Sequence, residues 1–243
     1  MLRTNINQIN FNSPIILASG TVGYGDEMIS MIDFKKVGAI ITKSITLNPR
    51  KGNPSPRIHE VNFGMINSIG LANIGVDKFC KIKLPKLSSL ETNVIISVAG
   101  STLDEYIKVI TKIEKMNGNH IGYELNVSCP NTIKGGIEFG VSQSIVGDLI
   151  TKIRPLTKKL LIVKLTPNVT NIEDIAFAAE SSGADAVSAI NTFIGLGIDY
   201  KTGKMVLSTK FGGVSGPAIK PLALAKVHKI YQKIDPRIIV REF

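Results

Sequence analysis

LLIVKLTPNVTNIEDIAFAAESSGADAVSAI, Leu160 to Ile190, is the stretch on which the fold turns. It opens on an apolar run of strand length, Leu160 to Leu165, and closes on another, Ala184 to Ile190. Ile172 to Ser182 between them reads as an amphipathic helix, and Gly183 is placed to cap its C-terminus. Neither run alternates cleanly between apolar and polar residues. That suits strands of a parallel sheet covered on both faces. A strand, a helix and a strand within roughly 30 residues make one right-handed βαβ unit.

The same rhythm extends outward. Ser13 to Ala18, Gly38 to Lys43, Asn93 to Val98 and His120 to Val127 precede this unit as strands, and Arg237 to Val240 follows it. Leu103 to Met116, Gln143 to Ile153 and Pro217 to Ile234 read as further helices, the second stopping near Pro155. Long inserts interrupt the pattern at Ile45 to Leu90 and at Asn191 to Ser215. Both follow strand C-terminal ends, where barrel enzymes build their sites. No linker, repeat or low-complexity tract divides the chain. The expected fold is α/β, a TIM (β/α)8 barrel present to about seven strands, as one domain over residues 1–243.

Composition agrees with a packed enzyme-sized domain. Of 243 residues, 44% are apolar and 20% charged, which excludes wholesale disorder. Lys and Arg outnumber Asp and Glu by 29 to 19, for a net charge of +10. The lysines are scattered without interleaved aromatics, so they read as solvated faces rather than a nucleic-acid footprint. Two cysteines, Cys80 and Cys129, are too few for a disulfide framework. No run nears the roughly 18 apolar residues of a membrane span, and the N-terminus lacks a signal-peptide pattern. A cytoplasmic location with reduced thiols is expected.

The chemistry collects at the strand ends. Lys43 and Lys164 sit inside apolar runs, where a cation needs a partner or an anionic ligand. Together they favour an electron-rich or anionic cofactor. Asn67, Asn126 and Asn191, with Thr192, carry both donors and acceptors suited to a planar ligand with an amide and carbonyl edge. Cys129 lies in Asn126-Val127-Ser128-Cys129-Pro130-Asn131, with Gly135 and Gly136 beyond, a shaped loop that suggests movement. A thiol held there serves as a proton-transfer group or as a nucleophile, and the residues alone do not choose. His59, His120 and His228 show no metal-ligand spacing, so no metal is expected. No G-x-G-x-x-G opens a helix after a strand, which argues against a Rossmann site.

Seven motifs in order resemble one family. They are Ala18 to Gly25 (ASGTVGYG), Lys43 to Arg57 (KSITLNPRKGNPSPR), Met65 to Gly75 (MINSIGLANIG), Glu124 to Asn131 (ELNVSCPN), Val163 to Val169 (VKLTPNV), Ala189 to Thr192 (AINT) and Gly212 to Pro221 (GGVSGPAIKP). The chain is similar over nearly its whole length to the flavin subunits of class 1 dihydroorotate dehydrogenases, type B. The resemblance implies a TIM barrel holding FMN at the strand C-termini and oxidising dihydroorotate to orotate in pyrimidine synthesis. It implies that NAD+ is reached through a partner subunit carrying FAD and a 2Fe-2S cluster, around a homodimer core of a heterotetramer. Carried onto this sequence, Cys129 is the base that takes the C5 proton. Ser19, Lys43, Ser44, Ser97, Asn126, Lys164, Ile190 and Gly216 line FMN. Lys43, Asn67, Ser68, Ile69, Gly70, Leu71, Asn126, Asn191 and Thr192 hold the substrate. Position 97 is Ser where the family commonly has Asn, so one flavin contact is expected to weaken.

The family continues past its seventh strand with a glycine-rich loop, an eighth strand and a last helix, which bind the cofactor phosphate. Here Arg241-Glu242-Phe243 follows that strand. An interrupted chain that binds FMN weakly or not at all is therefore expected. A short form completed by a partner and an inactive remnant are the alternatives. Rival activities are those of a dihydropyrimidine dehydrogenase flavin domain and of a tRNA dihydrouridine synthase. The second is disfavoured because Ser128, not Gly, precedes Cys129.

Overall fold

The computed structural model describes residues 3–6, 8–127, 139–235 and 239–241. Its centre is a seven-stranded sheet. In chain order these strands are β3 (Ile16–Leu17), β4 (Ala39–Ile41), β7 (Asn93–Val98), β8 (Gly122–Asn126), β9 (Leu160–Lys164), β10 (Ala186–Ala189) and β13 (Ile239–Arg241). Every neighbouring pair is parallel, and the spatial order follows the chain, as successive right-handed crossovers produce. The expected strands therefore form, β3 and β4 shorter than their apolar runs.

Helices cover the outer face. α3 (Leu103–Glu114), α4 (Gln143–Ile153), α5 (Ile172–Ser181) and α6 (Lys220–Tyr231) lie close to the expected spans. Thr102 caps α3 by accepting the Glu105 N–H at 3.1 Å, and Glu105 reaches back past the cap to accept the Ser101 N–H. Gly183 ends α5 with φ +103°, and the Ala184 N–H then bonds the Ala179 carbonyl at 3.1 Å. The eighteen residues expected as one helix from Pro217 begin instead as a 3-10 turn, Pro217–Ile219. Proline has no N–H for an interior turn but fits at a helix start.

Two apolar layers result from strands that are buried on both faces. Ile40, Val94, Ile96, Tyr123, Leu161 and Val163 pack outward against the helices. Ala39, Ile41, Ile95, Leu160, Ile162 and Ala186 point into the barrel. Phe11 plugs this inner layer from a hairpin of β1 (Thr4–Ile6) and β2 (Ile9–Phe11), which the sequence reading did not foresee. The Asn93 amide, at the first residue of β7, bonds the Asn10 carbonyl at 2.9 Å, so the hairpin closes the N-terminal end of the barrel. Burying the Phe11 ring contributes about 2–3 kcal/mol.

The long inserts meet above the opposite end. The first forms β5 (Ile58–Val61) and β6 (Gly64–Asn67), the second β11 (Phe193–Leu196) and β12 (Phe211–Ser215). They join as one antiparallel sheet, ordered β11, β12, β6, β5. The first insert also carries α1 (Gly75–Lys78) and α2 (Leu84–Leu87), separated by a π turn, Phe79–Lys83.

Candidate active site

The first wall of the site is the row of parallel strand ends. Lys43 follows β4, and its backbone N–H donates to the Gly23 carbonyl at 2.7 Å. That bond ties the Gly20–Gly25 turn, next to Ser19 at the end of β3, to Lys43. Ser44 Oγ lies 2.9 Å from Ser97 Oγ on β7 and accepts the Asn126 Nδ2–H of β8 at 3.2 Å. Tyr106 reaches across from α3 and donates its hydroxyl to the Asn126 carbonyl at 2.9 Å. Lys164 ends β9 nearly buried, in register between Asn126 and Ser188. Ile190 follows β10 and is also buried. Lys43, Ser44, Asn126, Lys164 and Ile190, all named as expected site residues, stand along the same edge of the sheet. Ser97 is deeper, with no solvent exposure, and its hydroxyl meets Ser44 above and Glu124 below.

The second wall comes from the inserts. Asn67 ends β6 and donates its Nδ2–H to the Gly213 carbonyl of β12 at 3.3 Å. Thr192 packs on the same glycine: a Cβ at Gly213 would stand 2.1 Å from Thr192 Oγ1. One glycine therefore brings together residues far apart in sequence. Asn191 Oδ1 accepts the Thr192 N–H at 2.7 Å, fixing that corner. Gly216, with φ +109°, passes so close to Gly64 that a Cβ would lie 2.7 Å from its Cα.

The segment Ser68–Leu71 bridges the walls. The Arg57 carbonyl accepts the Ser68 N–H at 2.8 Å, and Asn53 both donates its side-chain amide to the Ser68 carbonyl and its N–H to the Ile69 carbonyl. Asn73 Nδ2 donates to the Leu71 carbonyl at 2.8 Å. Gly70 and Leu71 take φ of +75° and +56°, a tight reversal that the buttresses hold. Beside Lys43 opens a cleft of about 460 Å³, lined by Tyr24, Glu27, Arg50, Asn73 and Ile74 among others. Burial raises the Tyr24 phenol above its ordinary range, and its oxygen accepts the Ile74 N–H at 3.1 Å.

Cys129 lies outside the described residues. Glu124, Ser188, Asn53, Asn73 and Tyr106 went unassigned in the sequence reading. For Glu124 the signal was present: an acid in the apolar run His120 to Val127 is the same anomaly that singled out Lys43 and Lys164. Among the described residues no group of three His, Cys, Asp or Glu is arranged to hold a metal, and no helix is long and apolar enough to cross a membrane.

A parallel barrel sheet with cationic and amide-bearing strand ends beneath an insert sheet is the architecture of α/β-barrel enzymes, which build their sites at the C-terminal rim. Residues 1–241 match the family described as dihydroorotate dehydrogenase. The chain is 44% identical over 241 residues to the dihydroorotate dehydrogenase B (NAD(+)) catalytic subunit of Bacteroides thetaiotaomicron, covering 98% of this chain and 78% of the relative. Identity is also 44% to the subunits of the same name from Geotalea uraniireducens and Carboxydothermus hydrogenoformans, covering 98% of this chain and 78% and 77% of theirs. In fold it is similar to an Eimeria tenella DHODH crystallised with ferulenol, with TM-score 0.78, 24% identity, and coverage of 99% of this chain and 72% of that one. This chain belongs to the dihydroorotate dehydrogenase family, whose members are oxidoreductases acting on dihydroorotate with a flavin as the expected cofactor.

Proposed function

We propose that the chain is the FMN-binding catalytic subunit of a cytoplasmic, NAD+-type dihydroorotate dehydrogenase that oxidises (S)-dihydroorotate to orotate. The observation that carries this reading is a pair of polar clusters, one at the strand ends and one on the insert sheet. Ser44, Ser97 and Asn126, from three adjacent strand regions, share one hydrogen-bond network. Asn67 and Thr192 meet at Gly213 on the insert sheet. The donor set fits a flavin: Lys43 and Lys164 supply positive charge for an electron-rich ring and an anionic tail, and Ser44 and Asn126 supply polar edges. Bound FMN supplies the acceptor for the hydride that leaves C6 of dihydroorotate.

The protein's own part is positioning and proton transfer. Asn67, Asn191 and Thr192, with the backbone of Ser68–Leu71, hold the substrate's amide and carboxylate groups. Lys43 offsets the negative charge of the substrate carboxylate. Cys129 Sγ takes the C5 proton as the C6 hydride departs. A partner subunit carrying FAD and a 2Fe-2S cluster, in a heterotetramer built on a homodimer, would supply the route to NAD+. The test is anaerobic addition of dihydroorotate to the chain with saturating FMN. Bleaching of the flavin absorbance is expected, with dihydrouracil inert, and Cys129→Ser is expected to slow it by orders of magnitude at neutral pH. Bleaching by dihydrouracil alone, or by neither compound, refutes the reading.

A further inference from the structure

A carboxylate with no solvent exposure, Glu124, lies beneath the rim. Burying such a group is costly unless hydrogen bonds satisfy it. Here Ser97 Oγ donates to Oε1 at 3.3 Å and Ser188 Oγ donates to Oε2 at 3.0 Å. A carboxylate accepts and cannot give a hydrogen bond back. Each serine has one hydroxyl hydrogen, so Ser97 has none left for Ser44. The 2.9 Å contact between the two serine oxygens must therefore run from Ser44 to Ser97. Ser44, its hydrogen committed, can only accept from Asn126, whose Nδ2 stands 3.2 Å away. The chain of donors runs one way, from Asn126 through Ser44 and Ser97 to Glu124.

We infer that Glu124 is a positioning residue: by fixing the direction of this chain it sets which edge of the Asn126 amide is donor and which is acceptor. The inference rests on the flavin reading above, which puts Asn126 against both the cofactor and the substrate. An amide is nearly symmetric in shape, and local packing alone holds either flip about equally well. The acid two residues earlier on β8 removes that ambiguity. Glutamine at 124 has the same shape but can donate to Ser97. The whole chain can then reverse and the Asn126 amide can turn over.

The experiment titrates riboflavin and FMN against the full chain by flavin fluorescence; riboflavin lacks the phosphate and so isolates the ring site. Glu124→Gln is expected to weaken both ligands about tenfold, the scale of one misdirected hydrogen bond. Ser97→Ala cuts the same chain one link up, is expected to weaken both alike, and serves if the glutamine variant does not fold. Ser188→Ala removes a donor to Glu124 without touching the chain and is expected to stay within about twofold of the parent. Equal loss in Ser188→Ala and Glu124→Gln means general loosening of the core and overturns the inference. So does unchanged affinity in both Glu124→Gln and Ser97→Ala while the parent binds flavin, and that outcome leaves the flavin reading standing. A parent chain that takes up neither ligand overturns both.

Discussion

Replacing His120 by Phe is expected to erase a pH dependence from the stability of this fold. His120 is 4% exposed, at the bottom of the barrel, and neither ring nitrogen has a hydrogen-bond partner of good geometry. Its ring meets Tyr123 edge to face, with centroids 4.9 Å apart. Burial, and then the positive charge of Lys159, lowers its pKa to about 4. Glu114, whose Oε1 is 3.8 Å from Nε2, offsets only part of this. The unfolded chain protonates near the ordinary value of about 6.5. Between these two values the unfolded state holds a proton that the folded state refuses, so stability rises with pH through the window. At about 1.36 kcal/mol per pH unit, the folded state loses about 3 kcal/mol as pH falls from about 6.5 to about 4. Urea unfolding of parent and His120→Phe across that range measures it. Phe keeps a ring against Tyr123, and subtracting the two curves cancels the titrating groups that do not interact with His120. The parent is expected to lose about 3 kcal/mol relative to the variant on acidification. A difference that stays flat with pH refutes the reasoning.

Asn73 makes four side-chain hydrogen bonds, to the N–H groups of Thr46 and Gly75, the Thr46 hydroxyl and the Leu71 carbonyl. Asn73→Ala is expected to cost about 2–3 kcal/mol in chemical denaturation and to raise KM for dihydroorotate more than it lowers kcat, because it frees the Ser68–Leu71 reversal. Equal effects on both constants would argue against that role. Gly213→Ala drives a methyl into Thr192 and is expected to destabilise by about 1–3 kcal/mol while weakening substrate more than flavin. Separate titrations of orotate and riboflavin decide it; a larger loss for riboflavin removes Gly213 as the hinge between Asn67 and Thr192.

The barrel was readable because its strands are buried on both faces. Leu160 to Leu165 and Asn93 to Val98 contrast so strongly with their helices that period and length suffice. The N-terminal hairpin was not readable. Three-residue strands such as Thr4–Ile6 leave too short a pattern, and their stability comes from Phe11 entering a barrel that other segments build. The insert sheet was equally hidden. β6 pairs with β12 across nearly 150 residues, and no local signal encodes that partner. At the site, cations and amides in apolar runs stood out as single residues. Tyr106 did not, because at helical spacing on α3 it looks like any core aromatic, and only its hydroxyl bond to Asn126 sets it apart.

The sequence by itself determined the alternation of strand and helix, the rim on which Lys43, Ser44, Asn126 and Lys164 stand, and the family to which the motifs point. These follow from burial, which writes its pattern residue by residue. Tertiary structure alone decided that Asn67 and Thr192 meet at Gly213 and that Ser97 stands below Ser44. It alone turned Glu124 from an odd acid in a strand into the end of a directed hydrogen-bond chain. Hydrogen-bond direction and close approach depend on neighbours brought together from distant parts of the chain, and they exist only once the strands and inserts have assembled.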